Sequence, residues 1–247
     1  MTDSPMPRKL LIIVAAGAAI SFVSFALLHQ LGGLHWTSTS KPGPQVTRDL
    51  PWAGSETLHI DNSAALVTYI QGPTPKFTVT GPAKRVNGLA LSGDTLTGSD
   101  IVHTFGDDHD VEIHIAITSP NTHTFFLSGA ETMILTNYDQ DSLEIHLSGA
   151  GIILTGGKAK HLIADLSGAG NLDMAQLPVD DATVNISGAG NATIDPKLAA
   201  DVSISGAGHI GLLTKPASLK TRITGFGAIT TPDGNKIRKD KDDNEDD

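Results

Sequence analysis

The four residues Ser-Gly-Ala-Gly recur at Ser148, Ser167, Ser187 and Ser205, after a first copy at Ser128 (Ser-Gly-Ala-Glu) and before a degenerate one at Thr224 (Thr-Gly-Phe-Gly). Successive copies stand 20, 19, 20, 18 and 19 residues apart. Self-similarity at so short a period marks one supersecondary unit stacked on copies of itself, because a unit of that size cannot bury its apolar face alone. The residues assigned to these turns are Ser128, Gly129, Ser148, Gly149, Gly151, Ser167, Gly168, Gly170, Ser187, Gly188, Gly190, Ser205, Gly206, Gly208, Gly225 and Gly227. Glycine at such a turn permits positive φ and close backbone approach, and both are expected here.

The flanks keep the same register. Leu127, Leu147, Leu166, Ile186, Ile204 and Ile223 precede the turns, and Phe125, Ile145, Ala164, Val184, Val202 and Thr221 lie two residues earlier. Between them fall mostly polar residues: His146, Asp165, Asn185, Ser203 and Arg222. Apolar-polar alternation of period two is the pattern of a half-buried strand. After each turn the apolar class returns at Met133, Ile153, Leu172, Ala192, Ile210 and Ile229. Each repeat therefore reads as strand, tight turn, strand, corner. An isolated hairpin of this length has few inward side chains. Stacked as coils about 4.8 Å apart, the repeats bury one continuous aliphatic column. The expected fold is an all-β, single-stranded β-helix or solenoid with coils of about 19 residues. Asn171, Asn191 and His209 occupy equivalent positions and should form a short polar ladder.

Composition agrees with a narrow, layered interior: aromatics are only 4% of the chain, and the 26 glycines exceed the usual share of about 7%. A net charge of −10 argues against nucleic acid, which needs a cationic face. Residues 10–29 are almost wholly apolar and follow Arg8 and Lys9, so they read as a transmembrane helix. The positive-inside rule leaves residues 1–9 in the cytoplasm and the remainder outside. A cleaved signal peptide is the alternative. Residues 30–46 form a Ser, Thr, Pro and Gly-rich linker without apolar heptads, and residues 233–247 a charged, disordered tail. Residues 121–232 carry the regular repeats. Residues 47–120 read as irregular opening coils continuous with them, a separate small β-domain being the alternative. No helix is expected after the anchor beyond short corner turns.

The turns at Ser148, Ser167, Ser187 and Ser205 combine with an opening stretch that includes Arg48 to Pro51, Leu58-His59-Ile60-Asp61, Val67 to Gly72 and Val79-Thr80-Gly81-Pro82. In this combination the chain resembles the GIN-domain family, the head domain of proteins described as auto-transporter adhesins, over about residues 47–232. The resemblance implies a right-handed β-helix, a bacterial envelope location and an adhesion role without recognised catalytic residues.

Because polysaccharide lyases and hydrolases share such folds, catalysis has to be sought in the residues. Sugar-chain cleavage needs paired carboxylates, or acids holding Ca²⁺ beside a base. His146 and Asp165 fall on adjacent rungs with Asp173 on the following strand, and Asn185, Ser203 and Thr193 nearby do not complete a site. These read as a solvated sheet face. Asp107-Asp108-His109-Asp110, with Glu112 and His114, is the densest set of metal-ligand types. Consecutive strand residues point to opposite faces, so it reads as an acidic loop. No catalytic, cofactor-binding or metal residues are assigned, and no cofactor is expected.

The expectation is a non-catalytic, membrane-anchored envelope protein, adhesin-like or a scaffold, exposing a surface for an envelope protein or glycan. Its place is the bacterial inner membrane, single-pass, with the β-helix on the periplasmic or extracytoplasmic side. Partners are the membrane, such a ligand and a second copy in a homo-oligomer. The alternatives are a β-helix carbohydrate-active enzyme, either a polysaccharide lyase or a hydrolase, and an envelope-stress scaffold. N-terminal sequencing of the membrane-extracted protein should find the apolar segment retained; a mature start near residue 30 would reject the anchor.

Overall fold

The computed structural model describes residues 44–61, 64–98 and 113–238. The anchor segment 10–29 lies outside the described residues, as do Asp107-Asp108-His109-Asp110 and Glu112. Among the described residues no helix is long and apolar enough to cross a membrane. The opening strands are β1 (Gln45–Leu50), β2 (Thr57–Asp61), β3 (Ala64–Gln71), β4 (Lys76–Pro82), β5 (Leu89–Ser92), β6 (Thr95–Gly98) and β7 (Ile113–Ser119), with a short helix α1 (Ala83–Gly88) between β4 and β5. The repeats follow as β8 (Thr124–Leu127), β9 (Ala130–Asp139), β10 (Ser142–Leu147), β11 (Ala150–Lys158), β12 (His161–Leu166), β13 (Ala169–Ile186), β14 (Ala189–Ile204), β15 (Ala207–Leu212), β16 (Ser218–Ile223) and β17 (Phe226–Thr230). A final strand, β18 (Lys236–Ile237), pairs antiparallel with β17 inside the stretch that the sequence assigns to the tail.

The described residues form an all-β solenoid whose strands stack in two parallel columns. Before the turn, Leu127, Leu147, Leu166, Ile186, Ile204 and Ile223 lie rung upon rung. After it, Met133, Ile153, Leu172, Ala192, Ile210 and Ile229 do the same. The side chains of these columns point inward and, Ile223 apart, are buried. One aliphatic core results, because alternation sends every second residue to the same face of each strand. In the longest strands, β13 and β14, the corner is absorbed within the strand by register shifts. The last coil departs from the expected pattern: Thr221 is exposed and Ile223 half-buried. The cause is that β16 has a neighbour, β14, on one side only among the described residues.

The turn glycines are required for a reason other than φ. None of them has a left-handed backbone; the positive-φ glycines among the described residues are Gly54, Gly93, Gly157 and Gly234. The expectation of positive φ at the turns is corrected here. A Cβ added to Gly149, Gly168, Gly188 or Gly206 would lie 1.8 Å from the carbonyl oxygen of the equivalent glycine one coil earlier. That oxygen accepts the amide of the next coil's alanine, as in Ala150 N–H to Gly129 O at 2.9 Å and Ala189 N–H to Gly168 O at 3.0 Å. The hydrogen bond that joins the coils thus fills the space of any side chain. The second glycine is nearly as confined: a Cβ on Gly190 or Gly208 would lie 2.3 Å from the carbonyl oxygen of the equivalent glycine one coil earlier. The first copy has Glu131 at this position, buried, with its carboxylate accepting the Gly129 amide at 3.1 Å.

The opening strands enter the stack out of chain order. β2 pairs with β8 and β3 with β9, so these two strands form the rung beneath the first repeat. The later strands β6 and β7 pair with the opposite edges of β2 and β3. Antiparallel strands then close this end: β4 on β7, β1 on β4 and β5 on β6. Such cover removes parallel edges that would otherwise template association. Arg48 fastens it, donating to Val86 O at 3.3 Å and Leu89 O at 2.7 Å at the end of α1. Between β7 and β8, the buried Tyr69 hydroxyl donates to Ser119 O at 2.9 Å and lies 3.2 Å from Thr122 O.

Burial pushes the Tyr69 phenol up to about 12 against the lowering effect of its hydrogen-bond partners, and burial together with Tyr69 pushes Tyr138 up as well. A raised phenol favours the neutral fold, so this stability is complete below the ordinary value of about 10 and is lost as pH rises toward about 12. Since these are the chain's 2 tyrosines, tyrosinate absorbance of the folded protein should stay flat past the point where urea-unfolded chain titrates. Denaturant unfolding of point variants gives a second check. Ile186→Ala should lose roughly 2–5 kcal/mol through a cavity, and the exposed Asn185→Ala no more than about 0.5–1 kcal/mol. Gly188→Ala should lose about 3 kcal/mol or more by overpacking against Gly168 O. An Asn185→Ala loss equal to that of Ile186→Ala would refute the register.

Candidate functional site

The residues that alternate outward before the turns form their own ladder: His59, Phe126, His146, Asp165, Asn185, Ser203 and Arg222, each paired in register with the next. Its first three rings stack face to face. His59 and Phe126 have centroids 4.5 Å apart at 5°, and Phe126 and His146 4.4 Å apart at 7°. The coil spacing brings planar side chains of one strand position to stacking distance. Beyond the rings the ladder continues through polar contacts. His146 Nε2 lies 2.8 Å from Glu144 Oε1 and Nδ1 lies 3.1 Å from Asp165 Oδ2. Asn185 Nδ2 donates to Asp165 Oδ1 at 2.8 Å, and Ser203 Oγ donates to Asn185 Oδ1 at 2.7 Å.

Two positions further along each rung, past the inward Leu127 and Leu147, stand Asp61, Ser128, Ser148 and Ser167. Ser128 Oγ donates to Asp61 Oδ1 at 2.9 Å. Between this line and the ring ladder runs an open groove of about 290 Å³ whose lining spans four rungs, from His59 and Asp61 to Asp165 and Ser167. Its floor is backbone with amides already engaged between coils: Ser128 N–H to Ile60 O at 3.1 Å, Ser148 N–H to Leu127 O at 2.9 Å and Ser167 N–H to Leu147 O at 2.9 Å.

Of the residues singled out from sequence, the structure brings His146 and Asp165 together and sets Ser128, Ser148 and Ser167 opposite them. Asp173 lies across the turn on β13, accepting the Ala175 amide at 3.1 Å. Asn171, Asn191 and His209 are in register but make no side-chain hydrogen bonds to one another. Sequence reading missed His59, Asp61, Phe126 and Glu144 as members of the site. The signal was present: Leu58-His59-Ile60-Asp61 matches Phe125-Phe126-Leu127-Ser128 in its inward-outward alternation, but the two lie 67 residues apart, as Asp61 and Ser128 show.

The opposite corner carries exposed cross-rung pairs, Asp139 with Lys158 at 3.1 Å and Asp141 with Lys160 at 2.8 Å. The Lys160 ammonium holds the Asp141 carboxyl below its usual range. Such exposed pairs contribute little stability. Among the described residues no group of three or more His, Asp or Glu side chains is placed to hold a metal ion.

Residues 56–216 match the family model described as "Putative auto-transporter adhesin, head GIN domain". Among solved structures, the chain resembles a "putative adhesin" from Bacteroides fragilis, with 19% identity and a TM-score of 0.60, covering 76% of this chain and 97% of that one. A "putative adhesin" from Parabacteroides merdae matches with 15% identity and a TM-score of 0.45, over 76% and 96% of the two chains. A "Putative lipid binding protein" from Parabacteroides distasonis matches with 15% identity and a TM-score of 0.44, over 76% and 97%. At this identity the Bacteroides likeness shows a shared fold. No curated protein matches the chain.

Proposed function

The chain belongs to the family described as "Putative auto-transporter adhesin, head GIN domain", and from that premise we propose that it is a non-catalytic, adhesin-like solenoid exposed at the bacterial envelope. In this reading the solenoid is right-handed, residues 10–29 are its retained anchor in the inner membrane, and the outward ladder faces a partner outside the cytoplasm. The observation that carries the non-catalytic part is the position of His146. Its imidazole fills the gap between Glu144 and Asp165, where a glycosidase needs a scissile bond and an attacking water between its two carboxylates. Asp173, the remaining acid among the sequence candidates, lies across the turn from that pair, and Asp61 at the other end of the groove stands three rungs from Asp165, roughly 14 Å away. The enzyme alternative therefore has no convergent acid pair in the groove.

The adhesion reading is tested on cells of a strain producing the full chain against the same strain carrying a deletion of residues 44–238. The producing cells should be retained better on surfaces coated with envelope glycans or envelope proteins; equal retention would overturn the reading. The non-catalytic reading is tested separately. Neutral and acidic polysaccharides incubated with the full chain should keep their length, and shortening abolished by Asp165→Asn would make the chain an enzyme.

A further inference from the structure

The geometry points to the groove between the His59–Asp165 ladder and the Asp61–Ser167 line as a binding site for a neutral or amine-bearing glycan chain lying along the solenoid axis. This rests on the adhesin-like reading and names the ligand class of that same site. The groove spans three coil intervals, roughly 14 Å, and each interval is close to the advance of one sugar residue along an extended chain. Its walls offer hydrogen-bonding groups that the protein leaves free or half-used. The His59 ring nitrogens and the Ser167 hydroxyl have no hydrogen-bond partner among the described residues, and Asp61 has one carboxylate oxygen taken by Ser128. Carboxylates at both ends, Asp61 and Asp165, accept hydroxyl or ammonium hydrogens, as repeated hydroxyls on a sugar chain require.

The same walls exclude other ligands. An extended peptide added as a strand needs unpaired backbone groups, and the amides of the floor are engaged between coils. A peptide held by side chains needs an apolar anchor pocket, yet Leu127 and Leu147 point into the core. The face of Phe126 toward His59 and the one toward His146 are both covered by those rings, so the groove offers its ring edge. Stacking of a sugar on either face of Phe126 is thereby excluded, and recognition falls to hydroxyls, ring nitrogens and carboxylates. An acidic polysaccharide would meet Asp61 and Asp165 in a chain of net charge −10 and be repelled.

The test titrates the full-length chain, in mild detergent, with three probes: the trimer of N-acetylglucosamine, the trimer of glucosamine and the trimer of galacturonic acid. At least one of the first two should bind and the third should not. Asp61→Asn and His59→Ala should each weaken binding about tenfold, with Ser167→Ala weaker by a smaller factor, while Asp173→Asn across the turn leaves it unchanged. Far-ultraviolet circular dichroism and the denaturant midpoint of each variant show that the fold persists, and Ser167→Ala serves where His59→Ala disturbs the ring stack. Failure of both neutral and amine trimers, equal binding of the acidic trimer, displacement by an extended peptide, or affinity indifferent to Asp61 and His59 would each overturn the assignment. Retention of cells in the adhesion assay without binding of any trimer would sink the glycan site alone; loss of retention with trimer binding intact would sink the adhesion reading alone.

Discussion

The backbone hydrogen bond between one turn and the next is the interaction on which the remaining structure depends. At each Ser-Gly-Ala-Gly turn the first glycine's carbonyl oxygen points along the axis and accepts the amide of the alanine in the following coil, or of Phe226 in the last one. That oxygen stands where the next coil's glycine would carry a Cβ, at 1.8–1.9 Å. Side-chain-free turns are therefore what allows coils to approach to strand spacing at the apex, with no strained φ involved. Once the apexes are locked in register, the residues before and after them are locked too, since a slip of one residue would turn every inward side chain outward. The core column and the outward ladder are two consequences of one register.

Parallel stacking leaves open edges at both ends, and the two ends differ. At the start of the solenoid the chain supplies antiparallel strands β1, β4 and β5, fastened by Arg48 on the carbonyls at the end of α1. At the other end β18 covers β17 alone, so the pre-turn column finishes on β16 with Thr221 exposed and Ile223 half-buried. Phe226, which replaces the turn alanine, is 94% exposed there. An aliphatic residue is held in the column by neighbours on both sides. Where one neighbour is missing, the pattern of burial weakens even though the sequence pattern persists.

The outward ladder turns the same periodicity into a surface. Rungs bring His59, Phe126 and His146 to stacking distance, and the carboxylates of Glu144 and Asp165 grip the last ring. A site built this way is rigid because its members ride on hydrogen-bonded strands, and it is linear because its members recur once per coil. The proposed glycan site rests on that linear repeat. On this ladder the His146 ring stands between the Glu144 and Asp165 carboxylates.

The sequence by itself determined the repeat length, the strand-turn-strand unit, the inward residues from Leu127 to Ile204 and the alignment of His146 with Asp165. Each is a local consequence of period-two alternation anchored to a glycine turn, and local periodicity is carried by sequence. Three things were decided only by the tertiary structure. The first is why the turn glycines are required: their obstacle is a carbonyl of the neighbouring coil, which no local backbone rule reveals. The second is the order of the opening coils. β2 and β3 are flanked by β6 and β7 on one side and by β8 and β9 on the other. Irregular spacing between Asp61 and Thr124 carries no register from which that order could be read. The third is the groove, whose His59 and Asp61 come from one side of this long separation and whose Phe126, His146 and Asp165 come from the other. Alternation tells which residues face outward; only the stacking of distant rungs tells which of them meet.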